Sequence, residues 1–281
     1  MAMDIKIPVS GHNTNNHLPF LDEDAMTSDD PLGVPSQQSV KAYVDNEVAP
    51  KVEYAYGEIA DLSTGASSWT IAPVAGTITR ITLVMEAAVT VANAAVTFEI
   101  GGVAVTGGGI TVVHGDSAIG ATLSATPTAA NTVTAGQAIE IITDGGSTTA
   151  SKATVLLEIT PSATVTTAWK KYVFGEIANI SAAASSWAIA PVAGTITKIW
   201  TVIDGAITVG DAAITFELGG TAITGGAITI AYSGSAAGTI DSCVPTALNT
   251  VTQGQAIEII TDGGSTDAAK AVVMFEVTPS A

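Results

Sequence analysis

Apolar and polar residues alternate in short bursts through most of this chain. In Thr97-Phe98-Glu99-Ile100, Phe98 and Ile100 share one face while Thr97 and Glu99 share the other, as along a half-buried strand. Comparable runs lie near Trp69–Ala72, Thr77–Met85, Ala95–Ile100, Val103–Thr106, Ile110–Val113, Ala121–Ala125, Gln137–Thr143 and Ala153–Ile159. Pro73, Gly76, Pro127 and Gly136 punctuate them, and Gly101-Gly102 reads as a two-residue hairpin turn. No convincing pattern of helical period interrupts the series. About eight antiparallel strands in so short a stretch predict an all-β sandwich, jelly-roll-like in its class.

The series then repeats. "GQAIEIITDGGST" at Gly136–Thr148 returns unchanged at Gly254–Thr266. "GEIADLSTGASSWTIAPVAGTITRI" at Gly57–Ile81 matches "GEIANISAAASSWAIAPVAGTITKI" at Gly175–Ile199, and "TPSA" closes both copies. No gap is needed, and roughly two thirds of the paired positions are identical, so two copies of one sandwich are expected in tandem. Each copy is longer than a solenoid repeat and should own its core. The intervening stretch lacks Gly and Pro and includes Trp169 and Tyr172, which predicts stacked copies with limited freedom rather than a loose tether.

The first fifty or so residues break the pattern. Asn, His, Pro and clustered acids give too little periodic apolar character to fold alone. "PSQQSVKAYVDNEVAP" follows, with Ser36 as helix cap and Pro50 as stop. Val40, Tyr43, Val44 and Val48 fall on one helical face. So short a helix is marginal by itself and would be stable if its stripe packed against copies of itself. The expected organisation is an extended anchoring arm over 1–35, a short helix and trimerisation stalk over 36–53, one sandwich over 54–163, a linker over 164–173 and a second sandwich over 174–281.

Composition narrows the function. Net charge is −17 and the only adjacent basic pair is Lys170-Lys171, so nucleic acid is not an expected partner. No long apolar run is free of Thr, Gly or Pro, and no basic region precedes an apolar core, so neither a membrane span nor a signal peptide is expected. Charged residues make up only 12% of the chain, which suggests surface buried between subunits. Cys243 has Ala125 as its counterpart and reads as a small buried hydrophobe.

Duplication supplies an internal test for catalysis, because a catalytic group should have a counterpart. His114 pairs with Tyr232 and Asp116 with Gly234, so no Ser-His-Asp set can be built twice. Glu58/Glu176, Glu99/Glu217, Glu140/Glu258 and Glu158/Glu276 do recur, in alternating strands where an outward Glu is ordinary. Two of them could still meet in space as a glycosidase pair. The repeated Asp-Gly-Gly-Ser reads as a turn between strands; the alternative, a cation or phosphate loop, lacks a second carboxylate or Lys at ligand spacing. No nucleotide, metalloprotease, nucleophile-elbow or Cys-x-x-Cys motif is present, so no enzyme, cofactor or metal site is expected. Trp69 and Trp187 hold equivalent places and read as core or interface anchors.

"MTSDDPLGVPSQQSVKAYVDNEV" (Met26–Val48) resembles a segment near the N-termini of tailed-bacteriophage virion proteins, where such a helix precedes a β-rich trimeric head. The Ala/Gly/Thr-rich copies also look like small phage structural domains. The resemblance implies a virion structural protein without separating capsid decoration from fibres; a polar arm that needs a surface to order it, followed by compact β domains with few charges, points to a homotrimeric capsid decoration (cement) protein on the capsid surface. Its partners would be itself and the major capsid protein. The arm residues His12, His17, Phe20, Asp22 and Asp24 would anchor it to the shell. The alternative is a tail or head fibre whose distal copy binds a host surface glycan through Trp200, Tyr232 and Asp241, residues found only in the second copy.

Overall fold

In the computed structural model the described residues are 20–21, 34–35, 39–40, 52–115, 117–162 and 170–280. Near the N-terminus, Phe20–Leu21 (β1) pairs in parallel with Val34–Pro35 (β2). Of the predicted helix, Ser39 and Val40 are described, both helical, and the remainder lies outside the described residues.

The rest is antiparallel β-structure. Its first half comprises Glu53–Ile59 (β3), Gly65–Ile71 (β4), Gly76–Met85 (β5), Ala94–Ile100 (β6), Val103–Ala104 (β7), Ile110–Val112 (β8), Thr122–Ala125 (β9), Thr132–Val133 (β10), Ala138–Asp144 (β11) and Ala153–Pro161 (β12). The second half repeats the series as Lys171–Ile177 (β13), Ala184–Ile189 (β14), Gly194–Ile203 (β15), Ala212–Leu218 (β16), Thr221–Ala222 (β17), Ile228–Ile230 (β18), Ile240–Cys243 (β19), Thr250–Val251 (β20), Ala256–Thr261 (β21) and Ala271–Pro279 (β22).

Four five-stranded sheets result. Sheet I runs β10-β5-β12-β3 with β9 also on β5, and sheet II runs β4-β11-β6-β7 with β8 also on β6. Sheets III (β13-β22-β15-β19, with β20 on β15) and IV (β14-β21-β16-β17, with β18 on β16) repeat the same orders. In each half the first four long strands alternate between two sheets, which is the connectivity that winds a sandwich rather than a meander.

The alternation seen in sequence decides which face each strand buries. Phe98 and Ile100 point inward with Ile81, Leu83, Ile139, Ile141, Val155 and Leu157, all buried in one cluster between sheets I and II. Ile199, Phe216, Ile257, Ile259, Val273 and Phe275 form the corresponding cluster between sheets III and IV. Gly101 and Gly102 both have positive φ, 59° and 76°, as a two-residue turn of the mirror-image type requires.

The repeated Asp-Gly-Gly-Ser does not close a hairpin. β11 lies in sheet II and β12 in sheet I, so the connection crosses between the facing sheets. Asp144 Oδ1 accepts from Gly146 N at 2.8 Å and from Ala95 N at 2.9 Å. Asp262 Oδ1 does the same with Gly264 N and Ala213 N, each at 2.9 Å. The carboxylate thereby shapes the turn and ties it to the neighbouring strand, a structural reason for keeping the stretch twice.

Cys243 sits at the end of β19, partly buried against the second core. Burial pushes its thiol up to about 11. The thiolate is the reactive form, so alkylation at pH 8 should run about a hundredfold slower on the folded chain than on the unfolded one. The folded rate should climb with pH towards 11, and the unfolded rate should level off well below that value. Equal rates for folded and denatured protein at pH 8 would contradict the burial.

Candidate assembly surfaces

Three of the recurring glutamates, Glu58, Glu176 and Glu276, are ion-paired with lysines. Lys270 Nζ lies 2.7 Å from Glu176 Oε2, and Lys152 Nζ lies 3.5 Å from Glu58 Oε1. Glu276, largely buried, accepts from Lys170 Nζ at 2.7 Å and from Thr197 Oγ1 at 2.6 Å. Its charge, after burial itself, raises the Tyr172 hydroxyl well above the ordinary phenol range. Glu99 and Glu140 are direct cross-strand partners on sheet II, as Glu217 and Glu258 are on sheet IV. His114 Nδ1 lies 2.8 Å from Asn93 Oδ1 on the surface. Among the described residues no group of three or more His, Cys, Asp or Glu could hold a metal ion. Among them, too, no helix is long and apolar enough to cross a membrane.

The notable geometry lies between the halves. Outward residues of sheet III (Trp200, Val202 and Met274, all buried, with Tyr172, Phe174, Ile240 and Val272 around them) pack on Ile71, Trp69 and Ala138 of sheet II. Two tryptophans seat on two glycines. A Cβ added to Gly136 would come within 2.4 Å of Trp200 Nε1, and one added to Gly238 within 2.6 Å of the Trp69 ring. Both glycines have positive φ, 80° and 81°, so each turn presents a bare backbone to the ring. Lys198 Nζ lies 4.7 Å from the Trp200 ring centroid and adds a cation–π contact. Tyr56 and Phe174 meet edge to face at 5.9 Å across the same boundary. A groove of about 240 Å³ opens there, lined by Tyr56, Ser68, Trp69, Phe174, Glu176 and Lys270. Ser68 Oγ and Trp69 Nε1 are buried in this region without a hydrogen-bond partner.

The outer faces of the four-sheet unit carry the same positions uncovered. Trp187 and Ile189 on sheet IV, the counterparts of Trp69 and buried Ile71, are 62% and 67% exposed. On sheet I, Tyr54 stands where Tyr172 stands on sheet III and is 41% exposed; Tyr56, the counterpart of Phe174, lies at the rim of the internal boundary against that ring. Sheet I has Thr82, Thr122 and Thr154 where sheet III has Trp200, Ile240 and Val272.

Several expected site residues fall elsewhere than the sequence suggests. Trp200 is 5% exposed within the boundary between halves and cannot stack on an outside ligand; its place on a distal ligand surface is corrected. A large aromatic on the outward face of a strand is buried here because a second sheet covers that face. Tyr232 is half exposed, and its N–H donates to Asp211 Oδ1 at 2.9 Å. Asp241 lies in β19 opposite Thr201, and burial raises its carboxyl. Tyr232 follows β18 of sheet IV, whereas Trp200 and Asp241 belong to sheet III, so the three share no face. Val40 is 41% exposed, while Tyr43, Val44 and Val48 lie outside the described residues. Phe20 belongs to β1; His12, His17, Asp22 and Asp24, like the linker Trp169, lie outside the described residues.

Sequence reasoning missed the tryptophan-on-glycine seating. Its signal was available in the coordinated change of Thr82, Thr122 and Thr154 to Trp200, Ile240 and Val272, three substitutions on one outward face.

No family model matches this chain, and no curated protein does. Among solved structures, the major capsid protein P2 from Bacteriophage PM2 is similar at 13% identity and a TM-score of 0.25, covering 82% of this chain and 98% of that one. The PBSX exported protein XepA is similar at 8% identity and a TM-score of 0.22, covering 82% and 87%. Vicilin from Corylus avellana (hazelnut) follows at 10% identity and a TM-score of 0.20, covering 82% of each chain. Scores of this size carry no functional weight, so the reading of function rests on the chain itself.

Proposed function

We propose that this chain is a structural protein of a tailed-phage virion, a homotrimeric decoration (cement) protein that binds the head shell through its N-terminal arm. The observation that carries the reading is the Met26–Val48 segment, similar to virion proteins in which such a helix precedes a β-rich head. The duplicated half supports it: the recurring turn aspartates and several recurring glutamates brace strands, as a building block demands. In this reading residues 54–163 and 174–281 are tandem jelly rolls, the helix sets the three-fold axis through Val40, Tyr43, Val44 and Val48, and the acidic arm meets the major capsid protein. Weak arm contacts repeated around a trimer would add by avidity.

The test is to add the full chain to purified heads that lack it and locate it by cryo-electron microscopy. Copies in proportion to the capsid protein, spread over the shell, are expected. Val44→Asp should reduce the load because three carboxylates near one axis oppose assembly, while circular dichroism still reports folded β-structure. Density confined to the tail would overturn the reading. A fibre that binds host glycan is the second reading; it loses Trp200 to burial and would rest on exposed Trp187, whose cross-strand partner is Glu258.

A further inference from the structure

Within the chain, a tryptophan of sheet II seats on a glycine turn of sheet III. The same knob and the same hole exist once more, both unfilled. Trp187 on sheet IV corresponds to Trp69 and is 62% exposed. Gly120, beside sheet I, corresponds to Gly238, has φ of +76°, and has nothing within 4 Å of its would-be Cβ. The surroundings are kept as well: Ile189 and Ala256 repeat Ile71 and Ala138 around the knob, and Tyr54 and Val84 stand exposed on the face with the hole.

We infer that sheet IV of one copy docks on sheet I of a second copy, with Trp187 seated on Gly120 as Trp69 is seated on Gly238. The occupant is a second copy of this chain because the chain already contains the contact: a face of the sheet II/IV type covered by a face of the sheet I/III type. The two faces differ, so the contact is heterologous, and repeating it gives a closed ring or an open filament. A cyclic trimer needs such a contact, one face for each neighbour, so the inference deepens the trimer reading and rests on it for ring closure only. The second knob of the internal boundary is absent here, since Thr82 replaces Trp200. The contact between copies should therefore be weaker than the contact within one.

The test places a photo-crosslinking amino acid at position 187 of the full chain, mixed with isotope-labelled chain of natural sequence. Sedimentation runs in parallel. Expected is an intermolecular cross-link to the peptide spanning Gly120, lost about tenfold or more with Gly120→Asn, since a buried aromatic anchor carries much of an interface. Asn tolerates the left-handed backbone, and open space surrounds Gly120, so this variant should fold. Trimers with the cross-link support both the contact and the trimer. A ladder of larger species with the cross-link supports the contact and refutes the trimer. Trimers lacking it, or cross-links from 187 to the sheet IV peptide of the second copy, refute the contact. So does a monomer at every concentration, or a chain whose Trp187 is protected only when host glycan is added.

Discussion

Phe216→Ala should loosen the second half of the protein far more than any surface change. Phe216 is 1% exposed and meets Phe275 edge to face, with centroids 5.2 Å apart and planes at 83°. Removing the ring deletes buried apolar surface and leaves a cavity in a closely packed sandwich, a loss of about 3–5 kcal/mol. Amide exchange in β16 and β21 should accelerate by about two to four orders of magnitude as that half opens. The first half provides the control. Phe98 is the counterpart of Phe216, but Leu157 stands where the second half has Phe275. Phe98→Ala should therefore cost less by about 0.5–1.5 kcal/mol, the worth of an aromatic pair beyond its area. Equal losses for the two variants would show that the ring pair adds nothing beyond burial.

Each of the eight runs read from alternation overlaps a strand: Thr77–Met85 falls in β5, Ala95–Ile100 in β6, Val103–Thr106 includes β7, and Trp69–Ala72 catches only the end of β4. Two strands of each half escaped. β3 was illegible because its pattern is inverted. Ala55 and Gly57 face inward while Tyr54 and Tyr56 face out, and Gly57 is small because a Cβ there would meet Ile141 Cδ1 at 2.3 Å. A rule that places large apolar residues inside reads such a strand backwards. β10 has two residues, too few for any period. The turn after β11 was legible as a turn but not as a crossover, since an Asp-Gly-Gly segment has the same local chemistry whether its next strand lies beside it or in the facing sheet. Trp200 shows the deeper limit. Alternation marks it as outward, and only the presence of another sheet turns outward into buried. The burial of outward faces is a property of stacking, which one half's sequence does not encode.

Gly136→Ala and Gly254→Ala form a pair that isolates that stacking. The two glycines are equivalent in the repeat and share a backbone, with φ of +80° and +79°. A side chain at either position carries the left-handed penalty, of order 1–2 kcal/mol. Beyond that they differ. Around Gly254 nothing lies within 4 Å of the new Cβ, whereas at Gly136 the Cβ would sit 2.4 Å from Trp200 Nε1 and 3.0 Å from its Cδ1. Trp200 is 5% exposed and held by Val202, Met274 and Ile71, so its ring cannot swing aside without disturbing the boundary. Gly136→Ala should therefore destabilise by about 1–3 kcal/mol more than Gly254→Ala, as overpacking does. The excess belongs to one ring, which makes it separable. In a Trp200→Ala background the collision is gone, and Gly136→Ala should cost no more than Gly254→Ala does in the natural chain. Urea unfolding of the single and double variants reads the difference directly. Should Gly136→Ala and Gly254→Ala prove equally mild in the natural chain, Trp200 does not press on that turn, and the stacking of the halves described by Trp69 and Trp200 is wrong.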